Sequence, residues 1–141
     1  MAIDKRIGSA GQPAAGQFAL VQEAGYRVVI NLALPSSDQA MPDEGAQVTG
    51  LGLVYVHIPV DWEAPALVDY QQFAAVMQAF QGERVFIHCV RNMRVSCFMY
   101  LNRILAMGIE PEVAMVELHK VWDPNDVWMA FIDSVLFHYR G

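Results

Sequence analysis

Three runs constrain the fold more than any other feature: "YRVVINLAL" (Tyr26 to Leu34), "LVYVHIPV" (Leu53 to Val60) and "RVFIHC" (Arg84 to Cys89). They are β-branched and largely apolar, as strands buried inside a layered domain must be. Helical spacing lies between the last two. "ALVDYQQFAAVMQAF" places apolar residues at Leu67, Tyr70, Phe73, Val76, Met77 and Phe80, with Pro65 suited to the start of that helix and Gly82 to its end. "AAGQFALVQEAG" reads as a short helix stopped at Gly25. "PSSDQAMPDEG" reads as a loop, and "AQVTGLG" is too short and glycine-punctuated to assign. Arg94 to Met107 predicts a helix closed by Gly108, and Pro111 opens another that runs to about Val121. "WDPND" then separates a last helix near the C-terminus. Strands separated by helices predict an α/β fold, a three-layer sandwich around a mostly parallel sheet. With 141 residues, 55% of them hydrophobic, residues 1–141 are expected to form one domain with a proper core.

In a parallel sheet, ligands bind beyond the carboxyl ends of the strands. Cys89 and Asp61 each stand at such an end, so the two can share one rim. Around Cys89 the sequence is "VFIHCVRNMRVSCF", with Arg91 and Arg94 beside the thiol and a helix starting near Arg94. A helix start leaves N–H donors unpaired and carries partial positive charge, which binds anions and favours a thiolate. Arg94 and Arg91 add guanidinium forks suited to a tetrahedral oxyanion, and the N–H groups of Val90, Arg91, Asn92, Met93 and Arg94 lie close by. The residues therefore point to a reactive thiol facing an anion pocket. The competing reading is a buried cysteine closing an apolar strand.

Charge and composition exclude several classes. A net charge of −6 argues against a nucleic-acid binder, which needs a basic stripe. No apolar run is long enough for a membrane-spanning helix, and the N-terminus lacks the apolar core of a signal peptide, so a cytoplasmic location is expected. Two cysteines make no disulfide framework, and no Cys/His cluster has zinc spacing. No metal and no cofactor are expected. Oligomeric state leaves no trace in the sequence.

The His-Cys pair, its short loop, the arginine and the helix resemble the phosphate-binding loop of cysteine-dependent phosphatases of the tyrosine and dual-specificity group. They also resemble the active-site loop of rhodanese-like sulfurtransferases. "SAGQP", "GYRVVINLAL", "LVYVHIPVDWEAP" and "VFIHC" together resemble the bacterial phosphatase-like proteins of the DUF442 type, over about Gly8 to Gly108. That resemblance implies a protein-tyrosine-phosphatase-like fold and a phosphorylated small molecule or phosphoprotein as partner. It implies Cys89 as nucleophile, Arg94 and the N–H groups of residues 90–94 as phosphate cradle, and His88 as the residue that orients the loop. Asp61, or failing it Glu63, is implied as the acid that protonates the leaving oxygen. A plain helix cap or loop residue is the alternative for Asp61. Sulfur transfer through a Cys89 persulfide, and anion binding without turnover, remain the alternative functions.

The loop departs from the common pattern in three ways. Four residues rather than five separate Cys89 from Arg94. The usual glycine is absent, which predicts strain in the cradle. Val95 stands where a hydroxyl usually follows the arginine, with Ser96 one place later. Beyond the loop, Trp62 is expected as a half-buried anchor, or as a stacking surface for an aromatic substrate. Cys97 is expected in the core, or as a resolving thiol for Cys89. Arg103 is expected at the surface. His57, His119 and His138 are expected to be structural, and Met115, Trp128, Phe131 and Phe137 to pack in the core.

Overall fold

The computed structural model describes residues 6–37 and 39–140. In chain order it contains β1 (Ile7–Ala10), α1 (Gln17–Glu23), β2 (Val28–Asn31), α2 (Glu44–Gly50), β3 (Val54–His57) and α3 (Leu67–Ala79). β4 (Val85–His88), α4 (Met93–Leu105), α5 (Pro111–His119) and α6 (Asp126–Arg140) follow. The strands form one sheet in the order β1-β4-β2-β3, and every pairing is parallel. β4, which leads into the cysteine, is flanked by both β1 and β2. The central strands are thus the continuously apolar ones, as a doubly covered sheet requires.

Strand alternation divides the core into two layers. Val28, Ile30, Val85 and Ile87 face a large cluster with Phe73, Phe98, Trp128, Phe131 and Val135 of α3, α4 and α6. Val29, with Phe86 and Tyr55 beside it, faces a smaller cluster with Phe18 of α1 and Val48 of α2. Aromatic rings tie the larger layer together. Phe98 packs edge-on against Phe73 at 5.4 Å and stacks on Phe131 at 5.7 Å between centroids. Each such ring contributes roughly 1.5–3 kcal/mol by burial.

Several expectations need correction. β1 was not foreseen, and it extends the sheet beyond the three expected strands. Part of the stretch expected to be loop or unassigned is α2. Pro65 precedes α3 rather than opening it; the Asp69 carboxylate accepts the Ala66 N–H at 3.0 Å and caps the helix. Arg103 is buried, at 8% exposure, because α5 covers its face of α4. Phe137 is 78% exposed, since it falls on the side of α6 opposite Trp128, Phe131 and Val135. Among the described residues, no helix is long and apolar enough to cross a membrane.

Candidate active site

The chain leaves β4 at His88, turns through residues 89–92 and enters α4 at Met93. Asn92 makes the turn possible, because it adopts the left-handed conformation at φ 64° and ψ 2°. Asparagine is among the few residues with a Cβ that visit that region readily. The cradle's tight turn is thus made by an asparagine at positive φ, in keeping with the strain expected where the usual glycine is missing. Cys89 is buried and belongs to the larger core layer, in step with Val85 and Ile87. It lines a cavity of about 440 Å³ together with Val90, Arg91, Met93, Arg94, Trp62 and Ser37.

Arg94 sits in the first turn of α4. Its guanidinium lies near enough to Cys89 and Asp61 for both to favour its charged form. Burial nevertheless leaves its pKa below the ordinary value. Its Nε is buried and has no partner among the described residues. A buried donor left open costs about 1–3 kcal/mol. The guanidinium carbon lies 5.3 Å from the Trp62 ring centroid. Trp62 is itself fixed: its ring packs on Trp122 and Trp128 at 5.3 and 5.5 Å, and its carbonyl accepts the Trp128 indole N–H at 3.0 Å. It is half-buried, as expected, and also lines the cavity.

The "SAGQP" segment holds the loop from the other side. The Gln12 N–H donates to the Val90 carbonyl at 2.9 Å, and Gly11 forms an isolated antiparallel bridge with Arg91. Glycine is required at position 11, because a Cβ there would lie 2.5 Å from the Val90 carbonyl oxygen. His88 points to the opposite layer, with its ring 5.9 Å from Phe18. Its Nε2 lies 2.8 Å from a carboxylate oxygen of Glu44, and its Nδ1 3.3 Å from the Cys89 carbonyl. Sequence reasoning missed Glu44, Gly11, Gln12 and Ser37 as individual residues. Only "SAGQP", quoted for its resemblance, carried a signal for any of them.

The remaining expected residues are placed less centrally. Asp61 is exposed and does not line the cavity; its Oδ1 accepts the Glu63 N–H at 2.9 Å, an Asx turn that shapes the loop. It does not cap α3. Glu63 is exposed. Arg91 is exposed at the cavity rim, whereas Asn92 turns its carboxamide behind the loop, where Oδ1 has no partner among the described residues. Ser96 donates to the Met93 carbonyl and accepts the Trp122 indole N–H at 3.0 Å. Cys97 is fully buried, and burial pushes its thiol up to about 12. His57 Nε2 lies 2.7 Å from the Ala33 carbonyl, a structural tie.

A DUF442 protein from Shewanella putrefaciens CN-32, described as a candidate phosphatase, is 36% identical in sequence. It superposes with a TM-score of 0.87, covering 99% of this chain and 91% of that one. The chain belongs to the DUF442 family. The DUF442 fold here is that of the protein-tyrosine-phosphatase-like proteins. P. aeruginosa TpbA matches at a TM-score of 0.74 and 18% identity, over 99% of this chain and 89% of that one. The core catalytic domain of the S. cerevisiae PP-IP phosphatase SIW14, solved with citrate, matches at 0.77 and 15%, over 94% and 82%. At such identities the likeness is one of fold. Beta-lactamase hydrolase-like proteins of Xylella fastidiosa are 26% identical over 106 residues, 73% of this chain. The chain spans about a quarter of the length of those curated relatives, 24%. No family model matches the chain. In this DUF442 chain, the Cys-to-Arg loop and Trp62 line one cavity, the "SAGQP" segment braces the loop from behind, and Asp61 stands outside the cavity lining.

Proposed function

We propose that the protein is a cysteine-dependent phosphatase that hydrolyses a phosphomonoester, carried by a small molecule or a phosphoprotein, through a cysteinyl-phosphate. The observation that supports this most is that Cys89 and the buried, cationic Arg94 line one cavity of about 440 Å³, close enough for each to act on the other's charge. In the proposed first step the Cys89 thiolate attacks phosphorus. The S–P bond forms, the ester P–O bond breaks, and the leaving oxygen takes the proton of Asp61. In the second step water attacks phosphorus and gives its proton to Asp61. The S–P bond breaks, and inorganic phosphate and the free thiolate result. Arg94 and the N–H groups of residues 90–94 hold the equatorial oxygens in both steps. His88 orients the loop and exchanges no proton with substrate.

The exposed Asp61 and the committed Ser96 hydroxyl support slow turnover, and they favour anion binding without hydrolysis as the second reading. The test is phosphate release from an aryl phosphate, run beside thiocyanate formation from thiosulfate and cyanide, with Cys89→Ser as control. Phosphate release abolished by Cys89→Ser is the expected result. Thiocyanate without phosphate would replace the proposal with sulfur transfer through a Cys89 persulfide. Silence in both, with Cys89 alkylation still slowed by inorganic phosphate, would leave the binding reading.

A further inference from the structure

On the α1/α2 face of the sheet, directly behind the cysteine loop, lies a polar cluster that none of the chemical steps above uses. Its centre is Glu44, the first residue of α2 and only 4% exposed. Gln12 Nε2 donates to Oε1 at 2.7 Å; His88 Nε2 and the Tyr55 hydroxyl meet Oε2, each at 2.8 Å. The Tyr55 oxygen accepts in turn from Asn31 Nδ2 at 3.0 Å. Burial alone would raise the Glu44 pKa. The bond and charge of His88, with the bonds from Gln12 and Tyr55, outweigh it and hold the carboxyl below its ordinary value. The ionised carboxylate accepts only, so His88 Nε2 carries a proton.

A buried carboxylate contributes little net stability compared with an apolar residue of its size, so its presence invites another explanation. Two of its three partners lead to the nucleophile loop. His88 is the residue before Cys89, and its Nδ1 faces the Cys89 carbonyl at 3.3 Å. Gln12 holds the Val90 carbonyl with its backbone N–H at 2.9 Å. One side chain thus grips the loop at its root and at its second residue, from the face opposite the cavity.

We propose that Glu44 is a positioning residue: by binding His88 and Gln12 together, it fixes where Cys89 and the loop N–H groups stand relative to a bound oxyanion. The proposal deepens the phosphatase reading and rests on the same site. It needs only that Cys89 faces an anion, not that hydrolysis occurs. Glu44→Gln keeps the volume but turns one acceptor oxygen into a donor, so at least one of three incoming donors loses its partner. Gln12→Ala removes the side-chain bond to Glu44 Oε1, and with it the link from Glu44 to the Gln12 backbone, while Glu44 and the Gln12 N–H stay in place. Ile132→Val, a truncation in the α6 core, supplies loss of stability far from the loop.

The experiment compares these variants with the wild type at 25 °C, each shown to be folded by its melting curve. It measures the iodoacetamide alkylation rate of Cys89, and the inorganic phosphate concentration that halves that rate. In Glu44→Gln and Gln12→Ala the half-protecting concentration is expected to rise fivefold or more, and the unprotected rate to change threefold or more. Ile132→Val is expected to stay within twofold on both, whatever its melting temperature. Loss of stability in the Glu44 and Gln12 variants with both readings unchanged would overturn the proposal. If wild-type alkylation is insensitive to phosphate, the unprotected rate decides alone. Absence of phosphate release from aryl phosphates would count against hydrolysis and leave this measurement standing.

Discussion

Gly11→Ala adds one methyl group at the tightest contact around the loop. The new Cβ would lie 2.5 Å from the Val90 carbonyl oxygen, where real contacts of this kind do not fall below 3.0 Å. The partner is backbone, and so cannot swing aside as a side chain would. The loop, the "SAGQP" segment or both must move by at least about 0.5 Å. That displacement falls on the two ties that hold the loop, the Gln12–Val90 hydrogen bond and the Gly11–Arg91 bridge. Overpacking of this kind costs about 1–3 kcal/mol of stability. The functional loss should be larger than stability alone implies, because a misplacement of about 1 Å can cost about a hundredfold in rate. We expect about a tenfold rise in the phosphate concentration that half-protects Cys89, and a similar fall in kcat/KM for an aryl phosphate. The assays are alkylation with iodoacetamide over a phosphate series, steady-state hydrolysis, and thermal melting on the same preparations. Phosphate protection within twofold of the wild type, with an unchanged melting temperature, would refute the claim that this contact sets the loop.

Asn92→Gly should be nearly neutral in stability, whereas Asn92→Val should cost about 1–2 kcal/mol, since a β-branched side chain resists the left-handed turn; denaturant unfolding reads both. In labelling of the native protein, iodoacetamide should modify Cys89 but leave Cys97 unmodified until unfolding or strongly alkaline pH, because burial holds that thiol at about 12. Asp61→Asn should slow esters with poor leaving groups about a hundredfold and activated aryl phosphates far less; equal losses would mean that Asp61 only shapes its loop, with Glu63→Gln the next variant to try. Glu44 ionises more readily folded than unfolded, so its contribution is full above its ordinary pKa of 4.5 and is lost as the pH falls through the lower folded value; the melting-temperature gap between wild type and Glu44→Gln should shrink below about pH 4.5.

What the sequence revealed depended on how local each signal was. β4 was legible because "VFI" is continuously apolar and rich in β-branched residues. β1 was not legible: "IGSA" has one large apolar residue, and its place in the sheet comes from pairing along β4, Ile7 with Val85 through Ala10 with His88. α2 was hidden for a related reason. Its seven residues include two glycines, and only Val48 in the smaller core and Glu44 in its hydrogen bonds are buried. Neither burial can be read from spacing. Arg103 and Phe137 show the limit of helical periodicity, which says which residues share a face but not which face another helix covers. Glu44 stood in a polar stretch that reads as solvated loop. Its partners lie 11, 32 and 44 residues away, beyond any local pattern.

The division of labour at the loop follows from the two-residue period of β4. Neighbours in a strand point to opposite faces, so a His-Cys pair at a strand end sends its two side chains into different layers. Val85, Ile87 and Cys89 share the layer of α3, α4 and α6, whereas His88 meets Phe18 and Glu44 on the other side. The backbone of β4 therefore separates the imidazole from the cavity in which the thiol meets Arg94. A histidine placed there can set the position of the next peptide through its carbonyl, but it has no path to a leaving oxygen on the far side of the sheet. In the proposed mechanism the leaving-group proton comes from the loop beyond β3, where Asp61 is close enough for its charge to act on Arg94. The carboxylate behind the sheet and the carboxylate in front of it cannot exchange roles: in the proposed mechanism Glu44 acts on geometry, and Asp61 supplies the proton.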